Sequence, residues 1–207
     1  FGYGSITFSP DSTRIAYTVG LGNKYFAVVD GKEEKHYDDI GLLSLIFSPN
    51  SERFAYIAKD GTKWSAVVDG TEGKQYDNVY SLVFSPDSQR VAYIAESGSE
   101  TFVVVDGVEG KSYDNLGSGI LTFSPDSRQV AYVAGIGDKW LAVIDDKESE
   151  QYDNFGVDGI VFSPDSMHVA YMIGVGDEWA VVNDGEVGDS YYGILIGSLV
   201  FSPDSRY

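Results

Sequence analysis

The sequence contains no cysteine, no long apolar run and few basic residues. The absence of cysteine excludes a disulfide framework and a thiolate metal site, and it suits an oxidising compartment. No apolar segment approaches the ~18 residues that a membrane-spanning helix requires. With 14 Lys and Arg against 32 Asp and Glu, the formal net charge is -18. This charge disfavours nucleic acids and anionic membranes as partners, and it favours basic proteins or cations.

A helix-type hydrophobic period is also missing, whereas a five-residue motif recurs along the whole chain. Copies of Phe-Ser-Pro-Asp-Ser begin at Phe8, Phe47, Phe84, Phe123, Phe162 and Phe201. Only the second copy differs, with Asn50 in place of the aspartate. The spacings are 39, 37, 39, 39 and 39 residues. A fixed period of this length is typical of an array of repeated supersecondary units.

The motif has a direct structural interpretation. Ser-Pro-Asp-Ser fits a type I turn, because proline presets φ at the second position and a small polar residue suits the third. Short apolar runs precede and follow each turn, which predicts a β-hairpin. The first period reads as four strands at about Gly4–Ser9, Arg14–Val19, Tyr25–Asp30 and Lys35–Asp38, with turns at Gly20–Lys24 and Gly31–Glu34.

The third strand of each period is continuously apolar, as in Ala27-Val28-Val29, so both faces of its sheet should be covered. Four short antiparallel strands per period with covered faces describe a β-propeller blade. On the second strand an alanine and a tyrosine follow each other, as at Ala16 and Tyr17, and they should face opposite neighbouring blades. We therefore predict an all-β propeller with five complete blades and the first strand of a sixth.

The predicted domain organisation is a single β-propeller domain over residues 1–207. Its repeats start near Ser5, Ser44, Ser81, Leu121, Ile160 and Leu199. A first strand that follows five full blades has no place in a ring of five, so we expect a parent ring of six to eight blades. Both ends of the sequence fall within a period, which predicts truncation at both ends.

The repeat resembles a known family. Each period contains the Phe-Ser-Pro-Asp-Ser motif, then a segment such as Arg-Ile-Ala-Tyr, a turn and a segment such as Val-Val-Asp-Gly. This pattern is similar to the WD-repeat-like propeller repeat of TolB and of many bacterial surface and secreted proteins. The likeness covers every period and implies a propeller fold with a periplasmic or extracellular location. Family members include periplasmic adaptors and the non-catalytic propellers of prolyl-oligopeptidase-type enzymes. The chain departs from the family by a serine where glycine usually follows Pro-Asp, and by a regular Val-Asp-Gly-x-Glu-Gly-Lys turn.

Two sets of residues are candidates for partner binding. The turn aspartates Asp11, Asp87, Asp126 and Asp165 should share one end of the blades with the aspartates of the Val-Asp-Gly turns. They would dock a basic partner or loosely bind a cation, or else only make the hydrogen bonds of their own turns. At the other end, apolar residues that do not recur between blades are contact candidates, namely Leu42, Tyr80, Val157 and Ile196.

No motif in the sequence announces a reaction, so we expect neither an enzyme nor a cofactor or metal site. The two histidines, His36 and His168, are isolated in the sequence. The leading hypothesis is a non-catalytic protein-binding scaffold or accessory subunit of an envelope-associated or extracytoplasmic assembly. Two alternatives stay open, namely the propeller portion of a prolyl-oligopeptidase-like or other hydrolase, and a surface-layer or adhesive repeat protein.

Overall fold

The structure, a computed structural model, describes residues 6–117 and 121–206, and these residues form strands and turns without a helix. None of the described residues therefore provides a helix that could cross a membrane. The chain divides into two compact units, Phe1–Gly110 and Lys111–Tyr207, called unit 1 and unit 2 below. Ser5, the predicted start of the first repeat, lies outside the described residues. The single domain, the ring size and the truncated ends stay predictions.

The strands form five antiparallel sheets that follow one another along the chain. Sheet 1 contains β1 (Ile6–Phe8), β2 (Ile15–Leu21), β3 (Lys24–Val29) and β4 (Lys32–Glu33). Sheet 2 contains β5 (Asp39–Ile40), β6 (Ile46–Phe47), β7 (Phe54–Asp60), β8 (Lys63–Val68) and β9 (Thr71–Glu72). Sheet 3 contains β10 (Asn78–Phe84), β11 (Val91–Ser97), β12 (Glu100–Val105) and β13 (Val108–Tyr113).

Sheet 4 contains β14 (Asn115–Leu116), β15 (Thr122–Phe123), β16 (Val130–Ile136), β17 (Lys139–Ile144) and β18 (Lys147–Glu148). Sheet 5 contains β19 (Asn154–Phe162), β20 (Val169–Val175), β21 (Glu178–Asn183) and β22 (Glu186–Tyr191). Neighbours in each sheet are also neighbours in sequence, and the first strand of sheets 2 and 4 is split into two pieces. The prediction of an all-β chain with five four-stranded antiparallel blades is confirmed.

Each sheet uses the same three tight turns. In sheet 1, Ser12 N–H donates to Ser9 O at 2.8 Å and closes a type I turn in which Ser12 has a φ of 61°. The second turn is Gly22-Asn23, where a positive φ at the glycine alone fits type II′. The third is Asp30-Gly31, with φ values of 51° and 81°, as type I′ requires. Turns of these primed types match the twist of the strands and fix the register of each hairpin.

These turns correct two sequence predictions. The predicted loop at Gly20–Lys24 is only two residues long, because the strands continue to Leu21 and restart at Lys24. The fourth strand, predicted at Lys35–Asp38, begins instead at Lys32, directly after the type I′ turn. The prediction was wrong because an Asp-Gly turn needs no further residues. Only Tyr37 of the predicted segment pairs with β3, through an isolated bridge to Tyr25.

The sixth copy of the motif forms its turn without a strand. Ser205 N–H donates to Ser202 O at 2.9 Å, as in the other copies. Strand structure depends on pairing, and no described segment pairs with residues 199–201. The first strand of a sixth blade is therefore seen as an unpaired segment.

Within each unit, the described apolar clusters lie between the facing surfaces of consecutive sheets. One cluster between sheets 1 and 2 includes Ala27, Leu45 and Tyr56. A second cluster joins sheets 2 and 3, and it includes Ala55, on the opposite face of β7 from Tyr56. A third cluster, in unit 2, includes Tyr171 between sheets 4 and 5. The predicted division of each alanine and tyrosine between two neighbouring sheets is thus confirmed for the described clusters.

Candidate functional site

The first strand of the sheets is interrupted where the sequence predicted contact residues. In sheet 2 residues 41–45 separate β5 from β6, although both pieces pair with β7. In sheet 3 the register of β10 shifts between Tyr80 and Val83. A β-bulge of this kind turns side chains away from the regular pleat and occurs often beside functional sites. We call residues 41–45 the leucine bulge.

The leucine bulge exposes two large apolar side chains on a strained backbone. Leu42 and Leu43 are each 74% exposed, and Leu43 has a φ of 57°. A left-handed conformation is unusual for a bulky residue and marks local strain. The Ser44 hydroxyl group supports the bulge, because it donates to Gly41 O at 2.7 Å and accepts from Ile57 N–H at 3.0 Å. The two leucines are thus held outward by a hydrogen-bonded bulge.

A groove of about 380 Å³ lies beside these leucines in unit 1. Its lining is mainly apolar and consists of Gly41, Leu42, Leu43, Ser44, Ile46, Ile57, Trp64, Asn78, Val79, Tyr80, Ser81 and Leu82. Tyr80 is half-buried there, and burial raises the pKa of its hydroxyl group to about 12, with a further contribution from Glu96. The structure therefore brings two of the four predicted apolar candidates, Leu42 and Tyr80, to one groove.

The other two candidates lie in unit 2. Val157 is 68% exposed within the irregular part of β19, and Ile196 is 75% exposed beside Leu195. The carboxylate of Asp158 accepts from Gly197 N–H at 2.8 Å, so it ties the two segments together. Val157 and Ile196 therefore belong to neighbouring segments, each next to a residue of this hydrogen bond.

The predicted turn aspartates make the hydrogen bonds of their own turns. Asp11 accepts from the Ser9 hydroxyl group at 2.6 Å and from Thr13 N–H at 3.0 Å. These bonds lower the pKa of Asp11 to about 2, with the bond from Ser9 as the largest cause. The serine bond recurs at 2.6, 2.6 and 2.5 Å for Asp87, Asp126 and Asp165. Turn formation thus accounts for these residues, and their role in partner binding stays a prediction.

Within each unit, serines that follow the third residue of the turn motif link consecutive sheets. Asp11 N–H donates to the Ser51 hydroxyl group at 3.1 Å, and Asn50 N–H donates to that of Ser88 at 2.9 Å. Unit 2 repeats the bond from Asp126 N–H to Ser166 at 3.0 Å. A glycine at this position would relieve the positive φ but could not accept the bond. The serine at this position therefore has a structural role that glycine could not fill.

Arginines at the start of the second strand form another sheet-to-sheet contact in unit 1. Arg14 Nε lies 2.7 Å from Asp30 Oδ2 in its own sheet, and its Nη1 donates to Ser51 O and Glu52 O of sheet 2 at 3.0 and 2.6 Å. Its guanidinium also stacks 5.1 Å from the Phe47 ring centroid. We call this set of contacts the arginine clamp.

A third contact between sheets joins lysine, glutamate and tyrosine. The carboxylate of Glu72 accepts from Lys35 Nζ at 2.7 Å and from the Tyr37 hydroxyl group at 2.6 Å. These two donors lower the pKa of Glu72, with Lys35 as the larger cause. Burial, followed by the bond to Glu72, raises the pKa of Tyr37. The sequence signal for this contact is a lysine two residues before a tyrosine, which recurs in successive periods at Lys35, Lys74 and Lys111.

The described residues contain no group of three or more histidine, aspartate or glutamate side chains that could hold a metal ion. His36 stacks on Phe26, with ring centroids 4.1 Å apart. His168 Nδ1 lies 2.6 Å from Asp184 Oδ2, in the place of the arginine clamp. Both histidines therefore have packing or charge partners within their own sheets.

No family model matches the chain, and no curated protein matches it either. Among solved structures, a eukaryotic initiation factor has a TM-score of 0.56 at 14% identity, covering 97% of this chain and 56% of that one. The β-propeller domain of the Trilobed protease from Pyrococcus furiosus has a TM-score of 0.53 at 12% identity, with 89% and 69% covered.

TolB from Acinetobacter baumannii has a TM-score of 0.50 at 16% identity, with 88% of this chain and 52% of that chain covered. The chain thus spans about half the length of the TolB structure. At such identities the similarity concerns the fold alone. The chain has a β-propeller-like fold with distant structural similarity to TolB and to a protease propeller domain.

Proposed function

We propose that the chain is a non-catalytic protein-binding scaffold of the TolB-type, WD-repeat-like class, acting as an accessory part of an extracytoplasmic assembly. The observation that carries the proposal is the leucine bulge beside its apolar groove. Leu42 and Leu43 stay exposed although the neighbouring Leu45 is 4% exposed, and the left-handed Leu43 maintains this arrangement at a cost in strain. Strain that keeps apolar side chains in water is expected where a partner covers them.

The groove defines the chemistry of the partner. Its walls, which include Ile46, Trp64 and Leu82, would receive one or two apolar side chains. The net charge of -18 favours a partner whose flanking surface is basic, since complementary charge speeds association. We therefore expect a protein segment that presents an apolar anchor with lysine or arginine beside it.

A site-specific crosslinking experiment tests this proposal. A photoreactive amino acid at position 43 should crosslink one partner in intact cells, and the same group at Leu21 should not. Leu21 is a matched control, because it is 65% exposed at the end of β2 and lies outside the groove. With the captured partner purified, Leu43→Asp should weaken binding by about tenfold or more, whereas Leu21→Asp should leave it unchanged.

Crosslinks that are the same from both positions would contradict the proposal. Unchanged affinity of the Leu43→Asp variant, with folding verified by circular dichroism, would also contradict it. The location is tested separately by the access of an added protease to the chain in spheroplasts. Digestion only after lysis would place the chain in the cytoplasm and refute that part of the proposal.

A further inference from the structure

Sheet 4 lacks the arginine that begins the second strand of the first three sheets. Gln89-Arg90 precedes β11, but the order is inverted to Arg128-Gln129 before β16. The inversion places Arg128 in the bend before β16, one residue earlier than the arginine of the first three sheets. The Arg128 side chain is 86% exposed, and its Nε lies 3.8 Å from Asp126. Gln129 therefore stands where an arginine clamp would begin.

In unit 1 two arginines occupy the position that corresponds to Gln129. Besides Arg14, Arg53 binds Asp69 at 2.8 Å through Nε and donates through Nη1 to Ser88 O and Gln89 O at 3.2 and 2.8 Å. Its guanidinium lies 5.4 Å from the Phe84 ring centroid. In both cases a guanidinium group binds one carboxylate and two carbonyl oxygens and stacks over an aromatic ring.

The matching groups are present in unit 2 in the same backbone arrangement. Asp145 N–H donates to Val130 O at 2.9 Å, as Asp30 N–H does to Ile15 O, so the carboxylate starts from the same turn position. The turn that supplies the two carbonyl groups, Ser166 O and Met167 O, is closed by Ser166 N–H to Ser163 O at 2.9 Å. Its serine also accepts the sheet-to-sheet bond from Asp126 N–H.

These groups line a groove of about 420 Å³ between sheets 4 and 5. Within the described part of unit 2, the Asp145 carboxylate makes no hydrogen bond or ion pair, whereas Asp184 of sheet 5 is paired with His168. Ser166 is half-buried, although Ser51, its counterpart under the Arg14 guanidinium, is 3% exposed. Among the described wall residues, Glu148 is paired with Lys111 and Asp184 with His168, so Asp145 is the carboxylate that remains to bind a cation beside Lys147.

We propose that this groove is a binding site for an arginine side chain of a protein partner. The guanidinium would bind Asp145 and the carbonyl oxygens of Ser166 and Met167, as Arg14 and Arg53 bind their own sets. A lysine would fit less well, because a single ammonium group lacks the planar fork that reaches one carboxylate and two carbonyl oxygens together. The inference goes beyond the proposed function, since it concerns a different surface, in unit 2, and stands if the apolar groove has no partner.

The test uses the intact chain and a small probe, N-acetyl-arginine methylamide, with the lysine analogue as comparison. In a nuclear magnetic resonance titration, the arginine probe should shift the amides of Val130, Asp145 and Met167 and bind several-fold more tightly than the lysine probe. Asp145→Asn should weaken binding by about tenfold, because a charge-assisted bond is lost. Asp146→Asn, in the same turn, is the matched control and should change affinity less than about twofold.

Gln129→Arg supplies the guanidinium from within the chain. This variant should no longer bind the probe, and its crystal structure should show the new guanidinium on Asp145 and the two carbonyl oxygens. Equal binding of the two probes, shifts spread evenly over the exposed aspartates, or a Gln129→Arg side chain that points into solvent would each overturn the proposal.

Discussion

The serine that follows each turn aspartate allows a sharp test of sheet-to-sheet coupling. Ser51 has a φ of 68°, is 3% exposed and accepts the bond from Asp11 N–H at 3.1 Å. Ser12 occupies the same turn position with a φ of 61°, but its exposed hydroxyl group makes no bond with described residues. Glycine substitutions at the two positions therefore share the backbone effect and differ in the lost bond and in the burial of the side chain that is removed.

The backbone effect is small because two contributions oppose each other. Glycine relieves about 1 kcal/mol of left-handed strain, and it adds about 0.4–1 kcal/mol of entropy to the unfolded chain. Ser12→Gly should therefore change stability by less than about 0.5 kcal/mol. Ser51→Gly also removes a hydrogen bond worth about 1 kcal/mol and leaves Asp11 N–H without its acceptor. We expect Ser51→Gly to be less stable than Ser12→Gly by about 1–2 kcal/mol.

Urea denaturation of both variants measures this difference. Hydrogen exchange of the Asp11 amide gives a local measurement, and it should accelerate by about tenfold in Ser51→Gly, since 1.4 kcal/mol corresponds to a factor of ten. In Ser12→Gly the exchange of the same amide should stay unchanged. Equal stability of the two variants, together with unchanged exchange at Asp11, would refute the coupling role of the serine.

Three further outcomes are expected. Gly41→Ala should lower the free energy of unfolding by about 1 kcal/mol in urea denaturation, because its Cβ would lie 3.1 Å from Ser44 Oγ and 3.2 Å from Ile57 Cβ. Gly193→Ala, where the added Cβ meets no atom within 4 Å, should be neutral. Lys35 lowers the pKa of Glu72, so this carboxylate stabilises the fold above its unfolded pKa and loses that effect as pH falls through its folded pKa. In Glu72→Gln the free energy of unfolding should therefore fall less steeply at acid pH. The Asp184 carboxylate raises the pKa of the His168 imidazole, so the stabilisation from this pair is complete below the unfolded pKa and is lost as pH rises through the folded pKa. Because arginine keeps its charge, His168→Arg should remove this loss of stability in thermal denaturation measured between about pH 5 and 9.

The sequence predicts the sheets well because each structural signal occurs in five or six copies. Ser9-Pro10-Asp11-Ser12 specifies its turn locally, and the structure contains that turn. The fourth strand was misplaced because the two positive φ values at Asp30 and Gly31 shorten the turn to two residues. Asp-Gly is itself a sequence signal for this two-residue turn, so the error was to assign Lys32-Glu33-Glu34 to the turn as well.

The site was less accessible from sequence, since its contacts join residues about one period apart. Lys35 and Glu72 are 37 positions apart, and Arg14 and Ser51 are also 37 positions apart. Such pairs become visible only when the sheets are placed face to face. The left-handed Leu43 had no sequence signal, because leucine rarely adopts this conformation. Leu42 and Tyr80 were found by a different route, as apolar residues that do not recur.

The contacts between sheets give a rule for locating function in this chain. Repeated sheets are stabilised by nearest-neighbour contacts, so a residue that recurs in every period is explained by the interface it forms. The arginines of sheets 1 and 2 illustrate this, because Arg14 and Arg53 each bind the equivalent aspartate and carbonyl oxygens of their own interface. A departure from the repeat that leaves those groups in place, as at Gln129, has no such explanation. An interface that keeps the carboxylate and carbonyl groups but lacks the arginine that binds them can accept an arginine from a partner. We therefore expect partner contacts at the positions where the repeat is broken.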